Sequence, residues 1–193
     1  MVVQKHSGFE AIGPITLSGD GLVYIEFRPD LDFETIRGNV GIPTLVTRGV
    51  FRGFSLPLWV ADNKEELFAD ICVPGRWDAA SDIYLHLDCW LSQAEDTKKF
   101  NLQASWEHYT PGADVVPNTS ANVELETDTG VAAAQFQSYK IEFQFPYDDL
   151  ARDDVLQIRI RRIAASLNEI AGEIVVSHLG VIFRRNRLGV VTP

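Results

Sequence analysis

The chain has 193 residues, a size at which an all-β domain commonly stays undivided and folds without a disulfide or a metal ion. Its formal net charge of −10 weighs against nucleic-acid binding, because contacts with phosphate supply most non-specific affinity. No apolar run approaches the roughly 20 residues that cross a membrane, and the first residues lack the apolar stretch of a secretory signal. We expect a protein that binds neither nucleic acid nor membrane and that stays in the cell in which it is made.

Glycine is concentrated at the start of the chain, where eight of the fourteen glycines fall within the first 53 residues. Glycine favours turns and an extended path over packed elements. Short strand-like segments occur there only at residues 22–28 and 45–52. We predict that residues 1–50 form an extended glycine-rich N-terminal arm with short strands, and that residues 51–193 form the folded domain.

From residue 54 onward, apolar residues recur at every second position, which is the period of a half-buried β-strand. The clearest case is residues 82–91, with one face formed by Ile83, Leu85, Leu87, Cys89 and Leu91 and the other by Tyr84, His86, Asp88 and Trp90. Residues 174–183 are apolar on both faces for much of their length, as in a central strand. Proline-glycine turns separate such segments. The pattern predicts an all-β protein, an antiparallel β-sandwich of jelly-roll type.

The sequence contains no motif of a known catalytic or cofactor site, whether a phosphate-binding glycine loop, a zinc-protease helix or a nucleophile elbow. We therefore expect no enzyme, no catalytic residue, no cofactor and no metal ion. Cys72 and Cys89 lie in apolar strand patterns and are predicted to be buried free thiols.

Two groups of polar residues leave alternatives open. His86 and Asp88 share a strand face, where the carboxylate could orient the imidazole, or the histidine could be an ordinary strand residue. Four acids near one turn could bind a hard cation through oxygen ligands, but their spacing fits no known loop and a solvated turn is the simpler explanation. These acids are Asp148, Asp149, Asp153 and Asp154.

Two further sets of residues could bind a partner. All seven basic residues beyond position 150 are arginine, which is enriched at interfaces because its planar guanidinium pairs with carboxylates. We predict a partner interface, with a solvated basic rim as the alternative, at Arg159, Arg161, Arg162, Arg184, Arg185 and Arg187. Tyr84 and Trp90 share one strand face and could form an aromatic platform on which a sugar ring stacks.

Several short motifs lie in and between the predicted strands. A Leu-Pro-Leu-Trp segment at 56–59 leads through a Trp77-Asp78 turn into the strand at 83–90, and Trp106 and Tyr109 follow in the next strand. An Ile-Arg-Ile-Arg-Arg-Ile run begins at residue 158, and a late strand ends in two arginines. Over roughly residues 54–187, this pattern resembles small jelly-roll virion proteins of tailed bacteriophages, such as capsid decoration (cement) proteins and head-fibre bases.

The resemblance implies a non-enzymatic virion structural protein, assembled in the host cytoplasm and seated on the capsid surface. There a homotrimer would clamp neighbouring copies of the major capsid protein and stabilise the head lattice. A glycine-rich arm could add a strand to a neighbouring sheet, and the arginines could pair with an acidic capsid surface. The alternative is a carbohydrate- or receptor-binding β-sandwich, as in a fibre tip or a binding module.

Overall fold

The structure, a computed structural model, describes residues 15–16, 23–27, 43–58, 65–75, 77–113, 120–146, 148, 150–185 and 187–188. The described residues form twelve β-strands: β1 (Ile15–Thr16), β2 (Val23–Phe27), β3 (Thr44–Arg48), β4 (Phe51–Leu56), β5 (Leu67–Cys72), β6 (Ile83–Leu91), β7 (Lys98–Tyr109), β8 (Ala121–Gly130), β9 (Ser138–Phe145), β10 (Val155–Ile163), β11 (Ile174–Arg185) and β12 (Arg187–Leu188). In these parts of the chain, no helix has the length and hydropathy needed to span a bilayer.

Two antiparallel sheets form a β-sandwich. The four-stranded sheet has the order β5-β10-β7-β8, and the six-stranded sheet has the order β3-β4-β11-β6-β9 with β2 as its remaining strand. β4 and β2 pair with successive parts of the β11 edge that faces away from β6. β1 pairs with β12 in a separate two-stranded sheet. The predicted all-β, antiparallel sandwich is confirmed, and its jelly-roll connectivity stays a prediction.

The core lies between the two sheets and follows the two-residue period of the sequence. On β6, the residues that face the core are those predicted from the alternation, and all five are buried. The four-stranded sheet contributes its own inward rows, including Phe100 and Leu102 on β7 and Leu156 and Ile158 on β10. Alternating apolar residues therefore meet across the sandwich, where removal of their surface from water stabilises the fold.

β11 changes its inward-facing set at a β-bulge. Ile174 and Val176 face the core before the bulge, whereas the odd-numbered residues from Leu179 onward face it afterwards. The register with β6 shifts between Val176 and His178, so Ser177 is the extra residue. Because a one-residue shift moves every later side chain to the opposite face, the bulge turns His178 outward.

The predicted boundary at residue 50 falls within a paired hairpin. β3 pairs with β4 across this position, and β2 pairs with Val181–Arg185 of β11 over five residues. Residues 1–14, 17–22 and 28–42 of the predicted arm lie outside the described residues. The arm stays a prediction, and the pairing of β2 shows that part of this segment belongs to the six-stranded sheet.

Both cysteines are free thiols, but the prediction that both are buried is wrong for Cys72. Leu67, Ala69 and Ile71 of β5 face the core, so the alternation points Cys72 outward, where it is exposed. Cys89 faces the core from β6. Burial, with a smaller effect from the charge of Asp88, raises the pKa of its thiol to about 12.

Candidate functional site

The outer face of the four-stranded sheet carries polar side chains that bond to one another across the strands. The strand register places Gln103 of β7 between Arg161 of β10 and Glu124 of β8. One step along the strands, Ser105 lies between Arg159 and Asn122. Directly opposed residues on one face of an antiparallel sheet lie close enough for their side chains to interact.

Two rows of hydrogen bonds result from this register. In the first row, Arg161 Nε donates to Gln103 Oε1 at 2.7 Å, and Gln103 Nε2 donates to Glu124 Oε1 at 2.7 Å. In the second row, Arg159 Nη2 donates to Ser105 Oγ at 3.0 Å. Ser105 Oγ in turn donates to Asn122 Oδ1 at 2.6 Å. Gln103 and Ser105 are buried although they face away from the core, because they lie between their bonded neighbours.

Glu66 joins the two rows at the β5 end. Its Oε1 lies 3.7 Å from Arg159 Nε and 3.6 Å from Arg161 Nη1, and its side chain is buried. Burial, followed by the neighbouring charge of Arg159, lowers the pKa of Arg161, and Glu66 and Glu124 oppose this shift. We call these seven residues the polar face: Glu66, Gln103, Ser105, Asn122, Glu124, Arg159 and Arg161.

One aromatic side chain adjoins the polar face, and a second lies beyond Glu107 on β7. Phe68 of β5 lies opposite Arg159 in the register, and Tyr109 continues the outward row of β7. Both are half-buried. The face thus combines guanidinium, amide, hydroxyl and carboxylate groups with aromatic edges, a combination that can bind polar partners through hydrogen bonds. The sequence signal for it was the outward row of β7, in which Asn101, Gln103 and Ser105 alternate with apolar residues.

Among the predicted interface arginines whose side chains the structure describes, it brings together Arg159 and Arg161. Arg162 continues the inward row of β10, where it is 2% exposed, pairs with Glu169 and donates to the carbonyl oxygens of Ile170 and Gly172. That contact set makes it a structural residue within the sandwich.

The other predicted arginines lie toward the end of the chain. Arg184 belongs to β11 of the opposite sheet, and its Nε lies 3.7 Å from Asp78 Oδ2. The side chains of Arg185 and Arg187 lie outside the described residues. The four arginines with described side chains therefore do not form one continuous surface. An interface that involves Arg159 and Arg161 stays a prediction.

The predicted aromatic platform lies on the outer face of the six-stranded sheet. Tyr84 and Trp90 stand near opposite ends of β6, with two other outward residues between them. Trp90 is 8% exposed because its indole packs over Gly53, where an added Cβ would lie 3.1 Å from Trp90 Cη2. In this position, Trp90 offers little of its ring surface to a sugar.

The acidic turn is organised by hydrogen bonds within the protein. Asp154 is buried and accepts hydrogen bonds from Thr110 Oγ1 at 2.6 Å and from the Ala151 backbone nitrogen at 2.8 Å. His108 Nδ1 lies 3.1 Å from the same carboxylate. Burial raises the pKa of Asp154, but these contacts together lower it below its ordinary value. The contacts favour a structural role for Asp154 over cation binding.

The pair His86 and Asp88 gains a third neighbour in the folded chain. His178 lies opposite Asp88 on β11, facing the same side of the sheet. The potential ligand atoms of His86, Asp88 and His178 all lie within 4.8 Å of one another. Sequence reasoning missed His178, whose only signal was the change in apolar periodicity around Ser177.

Comparison with known proteins gives neither a family model nor a curated relative that matches the chain. Similar solved structures include dimeric latent PorU from Porphyromonas gingivalis, with 9% identity and a TM-score of 0.40 over 95% of this chain and 14% of that one. They also include CBM28, a carbohydrate-binding module specific for non-crystalline cellulose, with 8% identity and a TM-score of 0.37 over 76% of this chain and 80% of that one. A third is the enzymatically active domain of bacteriophage CBA120 tailspike protein 4, with 13% identity and a TM-score of 0.32 over 88% of this chain and 20% of that one. The chain thus spans a small part of PorU and of the tailspike, and these similarities are too distant to assign a function.

Proposed function

We propose that the protein is a non-enzymatic structural protein of a phage virion, a capsid decoration protein that attaches through its polar face. The observation that supports this most directly is the cross-strand bonding of Arg159 and Arg161 with Gln103, Ser105 and Glu66. These side chains are held in place before any partner binds. Less rotamer entropy is then lost on association than for free arginines, which favours binding.

The distribution of charge on the polar face suits a specific protein partner. Arg159 and Arg161 lie on the central strand β10, while carboxylates stand beside them at Glu66 and Glu124. A complementary surface would place carboxylates over the arginines and cationic or neutral groups over the edges. Such a pattern of opposite charges restricts the register and the choice of partner more than it raises affinity.

The proposal includes the expected homotrimer on the major capsid protein and an attachment role for the N-terminal arm. The pairing of β2 with β11 limits the second point, since deletion of residues 1–40 removes a strand of the six-stranded sheet. Melting curves and particle-binding assays of the truncated protein separate attachment from folding. A folded variant that binds particles weakly supports the arm, whereas loss of the folded state assigns the segment to the domain.

Location on a particle is tested with virions of the phage that encodes the chain. Immunogold electron microscopy with antibodies against the recombinant protein should label the surface of intact heads. Particles that lack the protein should rebind the wild type and bind an Arg159→Glu/Arg161→Glu variant at least about tenfold more weakly, as expected when paired interface charges are reversed. The matched control is Arg184→Glu on the opposite sheet, which should bind normally.

The absence of the protein from purified virions would contradict a virion role. Equal binding by the wild type and the Arg159→Glu/Arg161→Glu variant would leave the virion role in place and exclude the polar face as the attachment surface. Circular dichroism of each variant establishes that reduced binding is not caused by unfolding.

A second candidate is carbohydrate binding through the same polar face. It is favoured by the Arg161 guanidinium, which Gln103 holds in place, and by the aromatic side chain of Phe68 beside Arg159 on the same sheet. Hydroxyl groups of a glycan can bond to such polar groups while its apolar ring face packs on an aromatic side chain. A glycan array probed with the wild type and with Gln103→Ala distinguishes the candidates, since a capsid-attachment face predicts no specific glycan signal.

A further inference from the structure

Three potential metal ligands converge on the two central strands of the six-stranded sheet. His86 and Asp88 stand two residues apart on β6 and therefore share its outer face. His178 lies opposite Asp88 on β11. The rings of His86 and His178 have centroids 5.5 Å apart and an interplanar angle of 56°. Two imidazoles and one carboxylate thus point toward a common volume on the surface of the sheet.

The spacing of the donor atoms suits one metal ion. All three donor atoms lie within 4.8 Å of one another. Donors around a zinc ion stand about 3–3.5 Å apart when the bonds to nitrogen and oxygen measure about 2.0–2.2 Å. Small rotations of the side chains would close this difference. No movement of the backbone is required, because the strand register already places the three residues side by side.

The β-bulge at Ser177 is what completes the group. Without the extra residue, the alternation set by Ile174 and Val176 would turn His178 into the core. Ser177 Oγ donates a hydrogen bond to the backbone oxygen of Asp88 at 3.0 Å, which ties the bulged residue to β6. Bulges commonly redirect a side chain toward a functional position.

The neighbouring residues leave the group accessible to a cation. Gly180, opposite His86 on β11, contributes no side chain. On the other side, Glu142 lies opposite His86 and Lys140 lies opposite Asp88. Lys140 Nζ is 4.0 Å from Glu142 Oε2, so its charge is shared with a carboxylate outside the group. His86 is buried, whereas Asp88 and His178 are half-buried, so the cluster reaches the surface through these two residues.

We propose that His86, Asp88 and His178 bind one divalent transition-metal ion, with zinc as the favoured ion. Imidazole and carboxylate are ligands suited to zinc and its first-row neighbours, whereas calcium and magnesium prefer oxygen alone. Three protein ligands leave at least one coordination position for water or for a group from a partner. The ion links β6 to β11, and because unfolding separates its ligands, binding stabilises the folded chain.

The site is tested with the untagged full-length protein after treatment with a chelator. Equilibrium dialysis followed by elemental analysis should give one bound zinc ion per chain, and added zinc should raise the melting temperature. Cobalt bound in its place should give visible d–d absorption. His178→Gln and Asp88→Asn should each weaken zinc binding by more than the roughly 10–100-fold that accompanies loss of an outer-shell partner.

His108→Gln is the matched control, because His108 contacts a single carboxylate, Asp154, and belongs to no three-ligand group among the described residues. It should bind zinc as the wild type does. A wild-type protein without stoichiometric zinc would overturn the proposal, as would equal zinc affinity in His178→Gln. The wild-type cobalt spectrum and melting shift decide the question even where a variant fails to fold. Neither outcome depends on the proposed capsid role.

Discussion

On the four-stranded sheet, the outward side chains Gln103 and Ser105 of β7 are buried because they bond to polar neighbours on β8 and β10. On the six-stranded sheet, Trp90 of the outward row of β6 is buried for a different reason. It packs over Gly53 and lies opposite Val175 of β11, so close apolar packing replaces lateral hydrogen bonding. The same alternation of sequence thus produces two kinds of outer face in one sandwich.

The comparison shows that a side chain on the outer face of a sheet is not necessarily exposed to solvent. Gln103 and Ser105 bond to polar neighbours within the sheet, whereas Gly53, which has no side chain, leaves room for the Trp90 ring. The first arrangement should depend on specific donors and acceptors, and the second on volume. Four predictions test this difference, from the largest expected effect to the smallest.

Arg162→Ala should cause the largest loss of stability, although Arg162 is polar and lies at the end of an apolar row. Removal leaves the carbonyl oxygens of Ile170 and Gly172 without their donor and Glu169 without its cation. Each buried acceptor that is left without its donor typically costs about 1–3 kcal/mol, and two are left here, whereas Glu169 is partly exposed and can be solvated. Chemical denaturation measures the free energy of unfolding.

The control for Arg162 is Lys140→Ala on the other sheet, an exposed residue whose Nζ lies 4.0 Å from Glu142. Exposed pairs contribute about 0–1 kcal/mol. Similar losses in both variants would contradict the structural role of Arg162 and restore it as a candidate for a partner interface.

Gly53→Ala should destabilise the six-stranded sheet through volume alone. The added Cβ would lie 2.7 Å from Val175 Cγ1 and from the backbone oxygen of Val176, which cannot rotate away. Overpacking of this kind costs about 1–3 kcal/mol. Gly75→Ala is the control, since its nearest neighbour would be Asp153 Oδ1 at 3.5 Å. Thermal melting of both variants measures the effect. Equal melting temperatures would show that the space around Gly53 is not what requires a glycine there.

Gln103→Ala should remove the link between Arg161 and Glu124 on the four-stranded sheet. Loss of two hydrogen bonds, one to each charged neighbour, should cost about 1–3 kcal/mol. Gln144→Ala is the control on the outer face of the other sheet. The side chain of Gln144 is exposed, and within the described part of the chain its amide donates one hydrogen bond, to Asp82. Urea denaturation should show a clear loss for Gln103→Ala and a small one for Gln144→Ala. The reverse order would mean that the polar face contributes little to stability.

Glu126→Gln should have the smallest effect on the free energy of unfolding, and this effect should depend on pH. Hydrogen bonds from Lys99 and then Ser166 lower the pKa of Glu126 from 4.5 to about 2. A carboxyl group with a lowered folded-state pKa contributes stability above its unfolded pKa, and this contribution is lost as the pH falls from about 4.5 toward 2. The stability difference between wild type and Glu126→Gln should therefore shrink over that range.

Denaturation curves at several pH values test this prediction, with Glu142→Gln as a control, since among the described residues the ion pair of Glu142 is the long one of 4.0 Å to Lys140. A difference between wild type and Glu126→Gln that stays constant down to pH about 2 would show that the carboxylate charge is not what stabilises this edge.

Much of the fold could be predicted from the sequence because alternation is a local property. The inward row of β6 and the polar row of β7 follow directly from residues two positions apart. The exposure of Cys72 was mispredicted because the prediction relied on the apolar residues around it, whereas the alternation of β5 places it on the outward face with Asp70. The arginines show a similar limit, since Arg161 and Arg162 are adjacent in sequence and lie on opposite faces of β10.

The sequence by itself determined an all-β sandwich, the inward rows of its main strands and the shared face of His86 and Asp88. Only the tertiary structure decided which strands became neighbours, and therefore that Gln103 would bond to Arg161 and that His178 would reach Asp88. Register between strands distant in sequence depends on packing of the whole core and, on β11, on the bulge at Ser177. Because one extra residue reverses every later side chain, no local pattern could place these groups together.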